Sequence, residues 1–297
     1  MNARERGFLL LSSHLGDPER RPLTTAQLRT LADRVRRAKL SPEDRDLEEK
    51  DLLALGYGRD MAERILRLLD EEAVLEHYLH RGNRMGCVPV TRVSEHYPLT
   101  LRHRLGLDSP GCLWVKGEVS LLNTPAVALV GSRELREPNR EFAAEAGRQA
   151  AEQGLTLVSG NARGADRTAQ NACLTSGGRV ISVVADELSK QPLRENVLFI
   201  SEEDFDEPFT KVRALSRNRV IHALGRVVFV AQSDLGKGGT WDGTVKNLRF
   251  GWSPVACFRD GSEASVHLEQ MGAYLIEKGD IRNFGTLLSK ESTLFDR

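Results

Sequence analysis

The sequence predicts an α/β protein in which a doubly wound, mostly parallel sheet follows a small N-terminal helical domain. From residue 126 onward, short and continuously apolar segments alternate with segments of helical character. Strands that are apolar throughout are typical of a parallel sheet covered by helices on both faces. The first 80 or so residues are instead rich in Leu, Arg and Glu and have helical periodicity.

Six apolar segments are predicted to be the strands of the sheet. They are AVALVGS (126–132), LTLVSG (155–160), RVISVVA (179–185), NVLFIS (196–201), RVVFVA (226–231) and PVACF (254–258). A helix over 139–154 separates the first two strands, because Phe142, Ala143, Ala146 and Ala150 share one of its faces. ADRTAQNACLTSGG predicts the next helix. This alternation indicates a Rossmann-like domain over residues 126–260.

The flanking segments predict three further regions. Residues 1–80 form the helical domain, and residues 81–125 connect it to the sheet as an extended segment packed on the core. Residues 261–297 form a short C-terminal extension with a helix near SVHLEQMGAYLIEKG.

One segment of the helical domain, LLALGYGRDMAERILRLLDEE, resembles the helix-hairpin-helix motif. The motif positions are occupied by Gly56, Tyr57, Gly58, Ala62 and Ile65. The glycine turn of that motif exposes N–H groups that can contact DNA phosphates. Leu55 stands where the motif usually has proline, and a purely structural helical hairpin is the alternative.

Composition excludes several classes of protein. Lys plus Arg equals Asp plus Glu at 42 each, so any polyanion must bind to a local patch. The four cysteines are far apart and predict neither a zinc site nor a disulfide framework. No segment has the length of a signal-peptide core or a membrane span. We therefore expect a cytoplasmic protein with reduced thiols and no membrane partner.

Three loops are predicted to meet at the carboxyl ends of the strands, where open parallel sheets bind ligands. They are GSR (131–133), SGNARGAD (159–166) and AQSDLGKGGTWDG (231–243). Glycines such as Gly131, Gly160, Gly164 and Gly239 permit close backbone approach, and Ser132, Ser159 and Thr240 supply hydroxyl groups. Helix N-termini at these loops favour a phosphate.

Familiar phosphate motifs are absent. GxGxxG does not occur, and GKGGT is not a P-loop because Gly follows Lys237. The PGGxGTxxE signature of the phosphoribohydrolases is missing as well. Hydride transfer and ATP hydrolysis are therefore not favoured, and we expect no cofactor and no metal.

The segment TKVRALSRNRVIHALGR (210–226) contains five basic residues and no acidic one. They are Lys211, Arg213, Arg217, Arg219 and Arg226. A cluster of this kind predicts a polyanion-binding patch. The alternative is that these side chains pair with the acidic run SEEDFDE (201–207) just upstream.

Taken in order, these motifs resemble the DNA-processing protein A family, also called DprA or Smf. The matching features are Gly131-Ser132-Arg133, the turn from Ser159 to Asp166, Gly177-Gly178, and Arg217-Asn218-Arg219. The resemblance implies an extended Rossmann domain with a strand-end pocket that binds single-stranded DNA. It also implies that the bound DNA is passed to a RecA-type recombinase. A homodimer is expected.

By this resemblance, the pocket residues are Ser132, Arg133, Ser159, Gly160, Ala162, Gly164, Arg217 and Asn218, with Lys211 and Lys237 as phosphate contacts. Arg163 is a further ligand candidate because a guanidinium offers several donors to a phosphate. Asp166 is interpreted as a cap and brace for the loop, and the alternative is a catalytic base. Trp241 either stacks on a base or packs as a lid. His222 is interpreted as a packing residue.

The sequence also departs from the family pattern. Gln170 replaces a histidine, and ADELSK (185–190) replaces a glycine-containing loop. We also expect no winged-helix domain of the kind that many members carry. Two functions therefore stay open. The first is a non-enzymatic single-stranded DNA-binding protein. The second is a small-nucleotide sensor or nucleotide hydrolase. Whether the role is in DNA uptake or in genome defence also stays open.

Overall fold

A computed structural model describes residues 1–40 and 46–285 of the chain. The chain divides into two compact units. The first consists of Met1–Tyr97 and Pro110–Leu113, and the second of Pro98–Ser109 and everything from Trp114 onward.

The first unit is mainly helical. Its elements are α1 (Ala3–Ser12), α2 (Thr25–Arg37), α3 (Glu49–Ala54), α4 (Arg59–Leu69), α5 (Glu72–Arg84) and the strand β1 (Val88–Thr91). Asn2 and Thr24 begin α1 and α2 with capping boxes, in which side chain and backbone satisfy each other's hydrogen bonds. Leu31, Leu52 and Ile65 lie in the core that these helices share.

The helix-hairpin-helix-like segment forms two helices, α3 and α4, joined by a tight turn. Gly56 has φ +83°, a conformation that favours glycine, and Gly58 is the N-cap of α4. Ala62 and Ile65 are buried in the core of the unit. The hairpin is thus present, and contact of its turn with DNA remains a prediction.

The second unit contains the sheet. Its strands are β2 (Cys112–Gly117, of which the first two residues belong to the first unit), β3 (Ala126–Val130), β4 (Thr156–Ser159), β5 (Arg179–Val183), β6 (Val197–Ser201), β7 (Val228–Val230), β8 (Val255–Phe258) and β9 (Tyr274–Ile276). Its helices are α6 (Leu99–Leu105), α7 (Glu137–Glu152), α8 (Ala165–Thr175), α9 (Lys211–Ser216), α10 (Asn218–Leu224), α11 (Gly238–Phe250) and α12 (Glu263–Gln270).

The strand order in this unit is β2-β6-β5-β4-β3-β7-β8-β9. All neighbours are parallel except β2, which runs antiparallel to β6. The chain passes from β3 to β6 toward one edge and then returns to β7, so the order reverses between β3 and β7. This reversal is the topological switch point, where open α/β sheets bind ligands.

Burial agrees with the predicted core. Phe142, Ala143, Ala146 and Ala150 of α7 are fully buried, and the strands β3, β4 and β6 are buried along their whole length. The mostly parallel α/β sheet predicted from the apolar segments is confirmed.

Three strands were not predicted. β1 and β2 lie in the segment expected to be a connection, and β9 lies in the C-terminal extension. The helix expected in that extension corresponds to α12, but it ends before Gly272, whose φ of +108° turns the chain into β9. In the part of the chain that the structure describes, no helix has both the length and the apolar character required to cross a membrane.

Candidate functional site

The loops that follow β3, β4 and β7 touch one another at the switch point. The N–H of Ser132 donates a hydrogen bond to the carbonyl of Gln232, at 3.0 Å. The carbonyl of Ser132 accepts a hydrogen bond from the N–H of Ala165, at 3.2 Å. The three loops predicted to converge therefore form one continuous surface.

Glycines are required where these loops meet. Gly164 has φ +87°, and a Cβ there would lie less than 3.0 Å from the carbonyl oxygens of Ser132 and Arg133. A Cβ at Gly131 would come equally close to the methyl group of Ala165. The small residues of the motif thus allow one loop to rest on another, whether or not a ligand is bound.

Two of the predicted pocket residues lie beneath the surface. Ser159 is fully buried, and its hydroxyl accepts a hydrogen bond from Nε2 of Gln170 at 2.7 Å. Arg217 is 7% exposed and donates to the carbonyl of Val183 at 2.7 Å. Its guanidinium lies against Gly160, where a Cβ would be less than 3.0 Å away. These side chains support the turn from inside and are not at its outer surface.

Asp166 also faces inward. It is the second residue of α8, which Gly164 caps, and it accepts the N–H of Ala162 at 3.1 Å. Burial raises the pKa of the Asp166 carboxyl, while the charge of Arg217 opposes that shift. Burial also lowers the pKa of Arg217, and the negative charge of Asp166 opposes that shift. The carboxylate braces the turn and balances an internal cation.

The outer surface of the site carries basic side chains. Arg133 is exposed, and within residues 1–40 and 46–285 no hydrogen bond or salt bridge engages its guanidinium. The same is true of the ammonium groups of Lys211 and Lys237. Arg163 is also exposed but forms a salt bridge with Glu134 at 3.0 Å. Ala162, next to it, is half-buried.

The start of α11 completes this surface. Lys237 is its N-cap residue, and Gly239 and Thr240 form its first turn. Nδ2 of Asn218 donates to the carbonyl of Gly239 at 3.0 Å, which holds α10 against α11. The N-terminus of α11 carries unpaired N–H groups and a partial positive charge, which favour an anion.

The predicted basic patch over 210–226 is largely wrong. Arg213 forms a salt bridge with Glu203 at 2.6 Å, and Arg219 forms one with Glu202 at 2.7 Å. Both carboxylates belong to the acidic run upstream, so the alternative interpretation accounts for these two side chains. A buried guanidinium requires such partners because its desolvation is costly.

The remaining basic residues of that segment differ in position. Lys211 begins α9, whose Leu215 lies close to Gly239 of the β7 loop. Arg226 is exposed but comes two residues before β7, at the amino end of the strand. Within this segment, only Lys211 is therefore an exposed cation near the candidate site.

His222 and Trp241 have different environments. His222 is buried, its Nδ1 lies 3.0 Å from Nδ2 of Asn247, and burial lowers its pKa to about 3. It is therefore neutral and packs inside the protein. Trp241 is half-buried in α11, with its ring centroid 6.0 Å from that of His267.

Gln232 is a site residue that sequence reasoning missed. Its Oε1 accepts the N–H of Arg136 and its Nε2 donates to the carbonyl of Glu134, both at 3.0 Å. It thereby fixes the loop that carries Arg133. No motif marked it, since its role depends on the contact between the β3 and β7 loops. Among the described residues, no group of three or more His, Cys, Asp or Glu side chains could hold a metal ion.

The strand order and the converging loops define a Rossmann-like α/β protein with a candidate ligand site at its switch point. Residues 89–283, more than half of the chain, match the family described as DNA recombination-mediator protein A. The chain belongs to this family.

Individual relatives agree with this assignment. The chain is 32% identical over 185 residues to the DNA processing protein DprA of Streptococcus pneumoniae, covering 58% of this chain and 65% of that protein. An X-ray structure of the S. pneumoniae protein has a TM-score of 0.67 at 25% identity, covering 95% of this chain and 97% of the other.

A second solved structure is the DNA processing protein A of Helicobacter pylori, described for its single-stranded DNA binding mode. It has a TM-score of 0.56 at 25% identity and covers 69% of this chain and 96% of the other. The matched segments span 41% to 65% of the length of the curated relatives.

Proposed function

We propose that this protein binds single-stranded DNA through phosphates at the switch-point surface. Membership of the family and the DNA binding described for the H. pylori relative support the proposal. Proteins that bind single strands without sequence preference combine a basic groove with loops that follow the backbone. This chain has converging loops at the switch point and exposed cations, Arg133, Lys211 and Lys237, beside them.

The observation that carries the proposal is the position of Arg133 and Lys237. They flank the β3 and β7 loops, whose backbones are joined between Ser132 and Gln232 at 3.0 Å. Both cations are exposed, and neither has a salt-bridge partner in the described part of the chain. Arg163, in the neighbouring β4 turn, is by contrast neutralised by Glu134.

A non-enzymatic role is part of the proposal. Asp166, the carboxyl considered as a possible base, is 6% exposed and accepts the N–H of Ala162. A general base must reach its proton directly or through one water molecule, and this carboxyl faces the interior.

Two partners are proposed in addition. The family description, a mediator of recombination, supports transfer of the bound strand to a RecA-type recombinase. Co-elution of the two proteins only when oligonucleotide is present would support this transfer. We also propose that the protein is a homodimer, which light scattering coupled to gel filtration tests. A monomer at all concentrations would contradict it.

Binding itself is tested by fluorescence anisotropy with a labelled oligonucleotide of mixed sequence. We expect saturable binding that weakens as salt rises, since phosphate contacts release counterions. Equal affinity for duplex and single strand, or the absence of any binding at low salt, would contradict the proposal.

A free nucleotide is the second candidate ligand. Asp186 is exposed and close enough to Arg217 to influence it electrostatically, so it adds negative charge beside the site. Such a charge disfavours a long polyanion more than a single nucleotide. A thermal-shift screen distinguishes the two, because ligand at 100 times its dissociation constant adds about 2.7 kcal/mol of stability. Stabilisation by mononucleotides and not by oligonucleotides would favour this candidate.

A further inference from the structure

A cleft of about 320 Å³ lies beside α8 and the turn that follows β4. Arg167, Gln170, Asn171 and Leu174 of α8 form one wall. The segment 191–194, which leads into β6, forms the other. Small-molecule sites range from roughly 300 to 1,000 Å³, so this cleft has room for one small ligand.

The floor of the cleft is apolar. Val197 and Phe199 alternate along β6 and so point to the same face of the sheet. Leu174 and Pro192 face the cleft from its two walls. Val197 and Phe199 are themselves buried, so the apolar surface accessible to a flat ring comes from half-buried Leu174 and exposed Pro192.

The rim of the cleft is positively charged. Arg167 and Arg194 line it, both are exposed, and neither has a carboxylate partner among the described residues. The contact of Arg167 Nε with the carbonyl of Asn161 is long, at 3.4 Å. By contrast, Arg163 and Arg136 are held by Glu134 and Asp260. No acidic residue lines the cleft, so its rim favours an anion.

Amide groups supply hydrogen bonds between the floor and the rim. Nε2 of Gln170 is engaged by the hydroxyls of Ser159 and Ser182 at 2.7 and 3.4 Å. Its Oε1 has no hydrogen-bond partner in the described parts of the chain. Asn161, with φ +61°, reaches across to Oε1 of Gln191 at 3.4 Å. These groups could pair with the polar edge of a heterocycle.

We propose that this cleft binds one nucleotide, with its base between Leu174 and Pro192 and its phosphate at Arg167 and Arg194. The inference rests on the proposed function in one respect. Asn161 belongs to the same turn as the switch-point surface, so a DNA strand on that surface can place one of its units in the cleft. A free mononucleotide has the same chemistry, and the experiment separates the two sources.

The test uses the full chain and two kinds of probe. The first is a labelled oligonucleotide with a single abasic site placed at each position in turn, followed by anisotropy. The second is each of the four deoxynucleoside monophosphates, followed by calorimetry. Asn171→Trp fills the cleft from an exposed position, and Arg194→Ala removes one cation. Thr175→Trp, exposed on α8 outside the cleft, and Arg226→Ala are the matched controls.

For a strand-derived unit, we expect one abasic position to weaken binding roughly tenfold, the scale of base stacking and burial. In Asn171→Trp, an abasic site at that position should no longer weaken binding; we call this loss of affinity the positional penalty. Arg194→Ala should weaken binding of the intact strand roughly tenfold. For a free nucleotide, a monophosphate should bind saturably to the wild type and to both controls, but not to Asn171→Trp.

The remaining outcomes separate this inference from the proposed function. An oligonucleotide that binds with no positional penalty, together with monophosphates that do not bind, overturns the cleft and leaves the proposed function intact. Monophosphates that bind at the cleft, with no oligonucleotide binding at any salt, support the cleft and overturn the proposed function. Absence of binding by either probe overturns both.

Discussion

The guanidinium of Arg217 lies directly against the Cα of Gly160, so closely that a Cβ at position 160 would come within 3.0 Å of it. The contact joins the turn after β4 to the start of α10. It explains why a glycine follows Ser159 and why an arginine precedes Asn218. The basic residue that the motif suggests as a ligand contact is in fact part of the internal support of the site.

Gly160→Ala is expected to destabilise the protein by about 1–3 kcal/mol, because overpacking at a rigid contact forces neighbours to move. Arg217 cannot move freely, since it is buried and bonded to the carbonyl of Val183. Urea denaturation measures the change. Gly279→Ala is the control, because a Cβ there meets nothing within 4 Å and the position has φ −70°. Equal stability of the two variants would contradict the contact.

Arg219→Ala is expected to lower the free energy of unfolding by roughly 3 kcal/mol, because it leaves Glu202 buried without its cation. The Glu202 side chain is 6% exposed, and burial raises its pKa while Arg219 opposes that shift. Arg226→Ala should stay within about 0.5 kcal/mol of the wild type in the same denaturation experiment. If Arg219→Ala kept normal stability but bound DNA weakly, this role would be contradicted and Arg219 would be a DNA contact instead.

His222 is expected to make stability fall in acid. Its folded pKa is about 3, below the ordinary value of 6.5, so the unfolded chain takes up a proton first as pH falls. The contribution of neutral His222 to the free energy of unfolding is therefore complete above pH 6.5. It is lost as the pH falls toward 3, by up to about 1.4 kcal/mol per pH unit. His222→Gln should have a shallower decline than the wild type in denaturation series at each pH. His267→Gln, at an exposed position, should reproduce the wild-type slope.

Asp166→Asn is expected to leave DNA binding within a few-fold of the wild type. The side chain faces the interior, and an amide oxygen can still accept the N–H of Ala162. Anisotropy at constant salt measures the affinity. If the protein instead hydrolysed a nucleotide with Asp166 as the base, this change would abolish turnover, and detection of such turnover in the wild type would favour the second candidate.

The sheet could be predicted because its strands are apolar on both faces and bounded by glycine or polar residues. β2 escaped prediction because it is antiparallel, lies beyond β6 at one side of the sheet, and contains Lys116, which donates to the carbonyl of Ser189 at 2.6 Å. β9 has three residues and is only partly buried. Neither has the continuous apolar pattern that marks β3 or β6.

The loops of the site could also be predicted, since their place at the strand ends follows from the alternation of strands and helices. The direction of each side chain could not. Arg213, Arg217 and Arg219 look like surface cations in the sequence, and only the packing of α9 and α10 shows that they point inward. The same applies to Ser159, whose hydroxyl is used by Gln170.

The switch-point surface is tested most directly as the DNA site by the salt dependence of single-stranded DNA binding. The measurement compares the double variant Arg133→Ala/Lys237→Ala with the control variant Arg226→Ala and the wild type. Each phosphate contact contributes a slope of roughly 0.7 to log K against log salt. The double variant should therefore bind more weakly and lose about 1.4 from the slope, while Arg226→Ala keeps the wild-type slope. A double variant with wild-type affinity and slope would contradict the switch-point surface as the DNA site.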